Sequence, residues 1–318
     1  MLVFQKNYSC YVELDRNVTD LVKFLSCLLV ALHHYSQYVV SQNISHNVFY
    51  EAVSSQGGFL GVAIFFFLSG YGLMKSEQKC HLNINSFFKK RYIKLYLPVV
   101  LSAIIWIPIC HFFIGNQIVG PSIIIEFFWG WGDGILWFVK CLLLLYLCFF
   151  LYTWTRAKYL SVGVRLLIIG ILMFFSFIIQ YNFADYSSIS VPLFYLGIVV
   201  ADFKQIKSYI LKKWVVGSVV SVIFVLCFMF RHNMLFIHAA FNYIIVLIWV
   251  VFSSNYTFRL LNIPKWMGGL SYDVYLIHNK CLIFLRAFFS VVPLWIFVLS
   301  SVVFSVSFYK LRNRLNCK

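Results

Sequence analysis

The stretch KFLSCLLVALHHYSQY (residues 23–38) is an apolar segment that begins with a lysine and carries two adjacent histidines. Its composition predicts a helix, and eleven residues of helix advance about 1100°, so Lys23 and His34 lie about 20° apart on one face. Gln37 and Tyr38 keep that face polar. An ionisable side chain inside an apolar span usually marks function, although a histidine hydrogen-bonded to a neighbouring helix would give the same pattern.

The composition around this stretch is that of a helical membrane protein. Of the 318 residues, 62% are hydrophobic, 20% aromatic and 11% charged, and the mean hydropathy is +0.86, which excludes a soluble domain. We therefore predict an all-α fold, a polytopic transmembrane helical bundle, with residues 1–318 forming one domain. Apolar runs predict about ten spanning helices, near residues 20–40, 58–74, 93–114, 135–154, 163–180, 188–203, 214–230, 234–253, 269–289 and 291–309.

The basic residues are distributed unevenly between the predicted loops. With the N-terminus in the cytoplasm, all but four of the 26 basic residues fall in cytoplasmic segments, whereas segments 41–57, 115–134 and 181–188 contain none. This asymmetry follows the positive-inside rule and predicts that both termini are cytoplasmic. The net charge of +16 is then explained by topology, and we expect no nucleic-acid partner. The four exceptions are Lys140, Arg231, Lys280 and Arg286.

The nine cysteines form no CxxC pair, and most of them lie inside apolar runs. Free cysteine is among the most buried residue types, and paired cysteines are the usual signal of a structural metal. We therefore expect these side chains to be small buried apolar groups, and we predict no metal site.

Three further stretches carry candidate functional residues. FFFLSGYGL (residues 65–73) contains small residues that let another helix, or a ligand, approach closely. FFKKRYIKLYLP (residues 87–98) places Arg91 and Lys94 three residues apart, which suits a phosphate clamp but equally a topological anchor. SYDVYLIH (residues 271–278) places His278 about 15 Å above the start of its helix, at a depth comparable with His34. We expect the two histidines to meet near the midplane above a basic cytoplasmic mouth.

Together with WF at residues 137–138, these motifs resemble the acyltransferase 3 family in order and spacing along most of the chain. Members of that family are integral membrane enzymes that O-acylate bacterial surface polysaccharides and related carbohydrates. The chain departs from the family pattern at Lys23 and Lys94, where most members have arginine. Both positions keep their charge but lose the bidentate geometry of a guanidinium.

The resemblance implies a multi-pass enzyme of the bacterial plasma (inner) membrane, in contact with membrane lipids. Its donor substrate would be a cytoplasmic acyl-CoA, most often acetyl-CoA, with no permanently bound cofactor. Its acceptor would be a hydroxyl group of a polysaccharide or of a lipid-linked oligosaccharide. His34 is then the expected general base or acyl relay, because a hydroxyl is a poor nucleophile until a base takes its proton. His278 would orient the reacting groups or act as a second acid–base site. The residues expected to bind the donor are Lys23, Ser69, Tyr71, Arg91 and Lys94.

A proton-coupled transporter or carbohydrate exporter is the alternative, with the histidines serving as a proton relay. Such carriers are often built from inverted repeats with broken helices in matching positions, and no such pairing is visible in this sequence. A purely structural membrane protein would leave two deep histidines above a basic mouth without a role.

The charge asymmetry gives a testable topology. Reporter fusions at Asn116 and Tyr186 should report an external location, and fusions at Lys79, at Lys207 and at the C-terminus should report an internal one. The measurement is alkaline phosphatase activity against green fluorescent protein fluorescence at each fusion point. An external location for Lys207 would eliminate the sixth predicted span.

Overall fold

A computed structural model describes residues 2–6, 13–45, 47–79, 84–114, 136–156, 160–183, 188–203, 234–260 and 266–316. Each predicted span overlaps one of its helices, except the span near 214–230, which lies outside the described residues. The elements are, in order, β1 (Leu2–Lys6), α1 (Arg16–Ser41), α2 (Val48–Ala52), a π-helical turn (Val53–Gly57), α3 (Gly58–Lys79), α4 (Ile84–Ile114), α5 (Leu136–Arg156), α6 (Val162–Phe183), α7 (Val191–Asp202), α8 (Met234–Asn255), β2 (Tyr256–Leu260), α9 (Trp266–Arg286) and α10 (Leu294–Asn316).

The exposed surface of these helices is apolar, as a membrane protein requires. On α6, which has a mean hydropathy of 2.6 and only 11% of its spanning window buried, Leu167, Ile171 and Phe174 all point outward. Their spacing forms one helical stripe, which is stable against lipid rather than against water. Within the described residues, five segments are long and apolar enough to cross a membrane: Arg16–Ser41, Val48–Lys79, Trp137–Thr155, Val162–Asn182 and Leu294–Arg314. The chain is therefore a helical membrane protein, and the number of ten spans stays a prediction.

Two helices differ in length from the predicted spans. α4 begins at Ile84 rather than near residue 93, because the polar residues before the apolar run continue the same helix. α7 has only 12 residues and carries a proline in its first turn. At about 1.5 Å per residue it covers roughly 18 Å, against about 30 Å of hydrocarbon.

The all-α helical fold is confirmed, and two short strands accompany the helices. β1 and β2 pair antiparallel, from Leu2 opposite Leu260 to Lys6 opposite Tyr256. The pairing places the N-terminal segment on the same side of the membrane as the segment that follows α8. Both segments were assigned to the cytoplasm from their basic residues, so the pairing agrees with that assignment.

The chain divides into two compact units, each assembled from separate stretches of sequence. The first unit comprises Met1–Lys23, Phe59–Ile84 and Cys141–Pro264, and the second comprises Phe24–Gly58, Asn85–Lys140 and Lys265–Lys318. The prediction that residues 1–318 form a single domain stays a prediction.

In the first unit, α3 and α7 cross through two glycines. A Cβ atom at Gly70 would overlap the carbonyl oxygen of Phe194, and one at Gly197 would overlap the carbonyl oxygen of Phe67. Backbones that approach this closely leave no room for a side chain, and small residues are the usual means of such packing in membranes. The hypothesis of close helix packing is therefore confirmed for Gly70.

A buried polar cluster joins α5, α6 and α7 in the same unit. The Asp202 carboxylate accepts hydrogen bonds from the Tyr152 hydroxyl and the Arg165 guanidinium. Arg165 also lies over the ring of Phe203, 4.7 Å from its centroid. The charge of a buried carboxylate is tolerable in this setting because it is paired and hydrogen-bonded.

The second unit has its core where α1, α9 and α10 meet. Tyr35 stacks on Phe297 at 5.2 Å between ring centroids, and its hydroxyl donates to the Val292 carbonyl at 2.8 Å. These contacts fix the outer half of α1 against the start of α10. The buried side chains of this core are Ala31, Tyr35, Tyr38, Val39, Leu282, Leu285, Val292 and Phe297.

The glycine crossing predicts opposite results for two alanine substitutions in α3. Gly70→Ala should lower the thermal unfolding midpoint of the purified protein by several degrees, because overpacking a filled interface costs about 1–3 kcal/mol. Gly72→Ala is the matched control, since a Cβ there has nothing within 4 Å. Equal midpoints for the two variants would show that the crossing does not constrain Gly70.

Candidate functional site

His34 and His278 meet in the second unit. Their rings stack at 5.3 Å between centroids with 26° between planes, which confirms the predicted meeting. Seven residues before each histidine the same two helices touch again, where the Cys27 thiol donates to the Ser271 carbonyl at 2.7 Å. A step of seven residues is two turns, or about 10.5 Å, on both helices. α1 and α9 therefore run parallel and in register along this interface.

Hydrogen bonds identify the basic nitrogen of each ring. His34 Nδ1 bonds the Gln37 Oε1 at 3.1 Å, and His278 Nδ1 bonds the Val274 carbonyl at 3.0 Å. A backbone carbonyl oxygen only accepts, so in His278 Nδ1 carries the hydrogen and Nε2 carries the lone pair; His34 has the same tautomer when the Gln37 amide turns its oxygen towards Nδ1. Among the residues described, the buried Nε2 of His278 has no hydrogen-bond partner. The pair thus offers two basic nitrogens side by side.

The contacts of His33 give it a structural role. Its Nδ1 donates to the Val53 carbonyl of the π-helical turn at 3.0 Å, and its ring packs so closely on Gly58 that a Cβ there would overlap it. It meets His34 edge-on, with 5.1 Å between centroids. The hypothesis of a hydrogen bond to a neighbouring helix is confirmed for this histidine.

An aromatic row extends from His278 towards the basic end of α4. Tyr275 lies between His278, at 5.9 Å, and Phe138, at 5.0 Å between centroids. Tyr272 stacks on Tyr275 at 6.5 Å, and its hydroxyl donates to the Leu95 carbonyl at 2.7 Å. Three of the sequence motifs therefore meet around Tyr272 and Tyr275. Sequence reasoning missed both tyrosines, although their three-residue spacing before His278 on one helix was a usable signal.

Two further polar contacts that sequence reasoning missed hold α9 in place. Lys280 Nζ donates to the Ser102 hydroxyl of α4 at 2.6 Å. The Arg312 guanidinium of α10 lies 3.0 Å from the Asp273 carboxylate, which is fully buried. From the sequence, Arg312 counts only as one of the basic residues assigned to cytoplasmic segments. The helix that carries His278 is thus tied to both neighbours by buried polar groups.

The predicted donor-binding cations differ in environment. In α4, Lys94 is exposed and the Arg91 guanidinium lies 6.0 Å from the centroid of the Phe87 ring. In the first unit, Lys23 Nζ lies 3.5 Å from the carboxylate of Asp20. Lys23 is therefore part of an ion pair, which its position at the start of the apolar stretch did not indicate.

The other two predicted donor-binding residues also belong to the first unit. Ser69 is half-buried on α3. The Tyr71 hydroxyl accepts a hydrogen bond from the Leu14 backbone N–H at 3.0 Å, and Lys75 Nζ lies 5.7 Å from the centroid of its ring. Both contacts give Tyr71 a part in the packing of this unit. The second unit contains the remaining predicted site residues, which are His34, His278, Arg91 and Lys94.

No curated protein and no solved structure matches the chain. A family comparison does match: residues 17–310 fit the acyltransferase domain of the acyltransferase 3 family. The match begins in the first turn of α1 and ends in the last turns of α10, so it takes in the histidine pair and every motif around it. The chain therefore belongs to the acyltransferase 3 family.

Proposed function

We propose that this protein is a membrane O-acyltransferase of the bacterial plasma membrane, with several membrane-spanning helices. It moves an acyl group, most often acetyl, from cytoplasmic acyl-CoA to a hydroxyl of a cell-surface or exopolysaccharide sugar. The observation that carries the proposal is the stacked pair His34 and His278, with the His278 Nδ1 bonded to a backbone carbonyl, inside a chain of the acyltransferase 3 family.

The chemistry needs one basic nitrogen near the reacting carbonyl. The acceptor hydroxyl oxygen attacks the thioester carbonyl carbon, a new C–O ester bond forms, and the C–S bond to CoA breaks. A histidine Nε2 takes the hydroxyl proton and then delivers it to the departing CoA sulfur. In the relay version, the His34 Nε2 attacks the thioester carbon and CoA leaves as its thiolate; the acceptor hydroxyl then displaces the imidazole from the acyl carbon, and its proton goes to the Nε2 of His278. Both versions use the same atom.

Exposure divides the roles between the two rings. His278 is only 1% exposed, whereas His34 is half-buried. The reacting base must be reached by substrate, so we assign that role to His34. His278 then supports the ring from behind and, through its own Nε2, acts as a second acid–base site.

Two cations of α4, the half-buried Arg91 and the exposed Lys94, are best suited to the donor phosphates. Arg91 and Lys94 lie one helical turn apart at the cytoplasmic start of this helix, and charged donors bind phosphate oxygens strongly. Lys23 can contribute less, because a phosphate there has to compete with Asp20. Ser69 and Tyr71 remain proposed contacts of the donor.

The test of this function against the transporter alternative is acetyl-CoA consumption. Purified protein in lipid nanodiscs should release free CoA from acetyl-CoA, followed with a thiol reagent, and the release should depend on His34. A transporter would leave acetyl-CoA intact, and that result would overturn the proposal.

The histidine pair gives the sharpest substitutions. His34→Ala should abolish acyl transfer, because losing a general base costs about 10²–10⁴-fold and losing a covalent relay can cost more. His278→Phe keeps a flat ring against His34 but removes the second lone pair, so it should also lower the turnover rate. The measurement is kcat for CoA release by correctly inserted protein.

His33→Ala is the matched control and should retain most activity. It loses a hydrogen bond to Val53, worth about 0.5–1.5 kcal/mol of stability, but no group assigned to the reaction. An inactive His33→Ala beside an active His34→Ala would move the assignment by one residue. If both variants stay active, the mechanism built on this helix is wrong.

The phosphate clamp predicts an effect on donor affinity. Arg91→Ala should raise the apparent KM for acetyl-CoA roughly tenfold to 150-fold, because it removes a charge-assisted contact worth about 1.5–3 kcal/mol. Lys89→Ala, an exposed lysine two residues away on the same helix, is the control and should change KM little. An unchanged KM for Arg91→Ala would leave the cluster as a topological anchor.

A further inference from the structure

Two buried polar side chains in the first half of α8 have no part in the proposed reaction. His238 is 7% exposed and Asn242 is 0% exposed. They are four residues apart, so they are neighbours on one face of the helix, with about 5–6 Å between Cβ atoms. We call these two residues the α8 polar pair.

The α8 polar pair has three orphan atoms. Within the described part of the chain, His238 Nδ1 and both polar atoms of the Asn242 amide are buried and have no hydrogen-bond partner. Such groups are rare because leaving them unpaired costs free energy, and this cost is larger in a membrane, where water is scarce. Three orphan atoms on neighbouring side chains of one helix make this pair a candidate ligand site.

The surroundings of the pair are ordered. The Phe59 ring of α3 stacks on His238 at 4.8 Å between centroids with 16° between planes. Next to Asn242, the Tyr243 hydroxyl donates to the Ile189 carbonyl at 2.6 Å. Further along the same helix, the Trp249 ring meets the Phe67 ring edge-on, with 5.7 Å between centroids. α8 is therefore fixed within the first unit, and the pair is held in place rather than free to turn towards other partners.

The hydrogen-bonding capacity and the lack of charge of these three atoms are best matched by a neutral hydroxyl group. Neither side chain belongs to an ion pair among the residues described, so no charge in the pair would attract an ion. An amide offers both a donor and an acceptor, and an imidazole nitrogen can serve as either. A hydroxyl also donates and accepts, so one hydroxyl placed between the two side chains can satisfy both. An aliphatic chain would leave all three atoms unpaired.

We propose that the α8 polar pair binds a hydroxyl group of a neutral alcohol or sugar. The link to catalysis rests on the proposed function, in which a hydroxyl compound is the acyl acceptor. The pair belongs to the first unit and the histidine stack to the second, so binding here can be measured separately from chemistry. Water offers the same hydroxyl chemistry, and the experiment separates the two sources.

The probe is octyl β-glucoside below its critical micelle concentration, a neutral glycoside that enters membranes. Its binding to the full chain in nanodiscs is followed by the rise in thermal unfolding midpoint with concentration. Wild type should bind the glucoside, and Asn242→Leu and His238→Phe should each weaken binding at least about tenfold. His238→Phe keeps a ring stacked on Phe59, so it carries the test if Asn242→Leu does not insert.

Asn182→Leu is the matched control. Asn182 is exposed on α6 and its amide donates to the Ile178 carbonyl of its own helix at 2.8 Å, so its loss should leave glucoside binding unchanged. The midpoint shift produced by acetyl-CoA should be the same in all four proteins, which shows that the donor site is intact.

Two results would overturn the inference: no glucoside binding by wild type, or equal binding by wild type and both variants of the pair. In the second case the pair holds water only. Pair-dependent binding without any acetyl transfer would remove the proposed function and leave this site standing. Acetyl transfer with binding independent of the pair would do the reverse.

Discussion

The contact between α1 and α9 is the interaction on which the candidate site depends. Two of its points, the Cys27–Ser271 hydrogen bond and the His34–His278 stack, are separated by two turns on each helix. A slip of one residue on either helix would rotate a histidine by about 100° and separate the rings. The register of the two apolar helices is therefore what brings the imidazoles of His34 and His278 into contact.

Polar groups inside the membrane part of the chain fall into satisfied and unsatisfied sets. Asp202 is satisfied by Arg165 and Tyr152, and that cluster explains how a short helix such as α7 is held in the first unit. His278 Nε2 and the α8 polar pair are unsatisfied within the described residues. A protein keeps such costly groups where something else completes them. The orphan atoms of the α8 polar pair are the ground on which we propose a hydroxyl site there.

Much of the fold and the centre of the site could be predicted from sequence, for physical reasons that differ by residue. Spans follow from hydropathy, and His34 from its phase with Lys23 on a regular helix. Partners between helices could not be predicted in this way. Neither the position of Gly70 against α7 nor the contact of Asp273 with Arg312 is encoded in local spacing. Tyr275 could have been predicted from its spacing of three residues before His278, but its contact with Phe138 of another helix could not. The strands were not predicted because five-residue segments outside the spans are too short to show a periodic pattern of apolar residues.

The register between α1 and α9 also has a consequence for biosynthesis. The Cys27–Ser271 contact joins residues 244 positions apart, so its first half enters the membrane long before its second half exists. At about 5–20 residues per second of translation, roughly 12–50 s pass between the two. During that interval His34 is held in a growing chain without the His278 ring. A nascent or truncated chain consequently lacks the histidine pair, which forms only when the ninth described helix, α9, has docked.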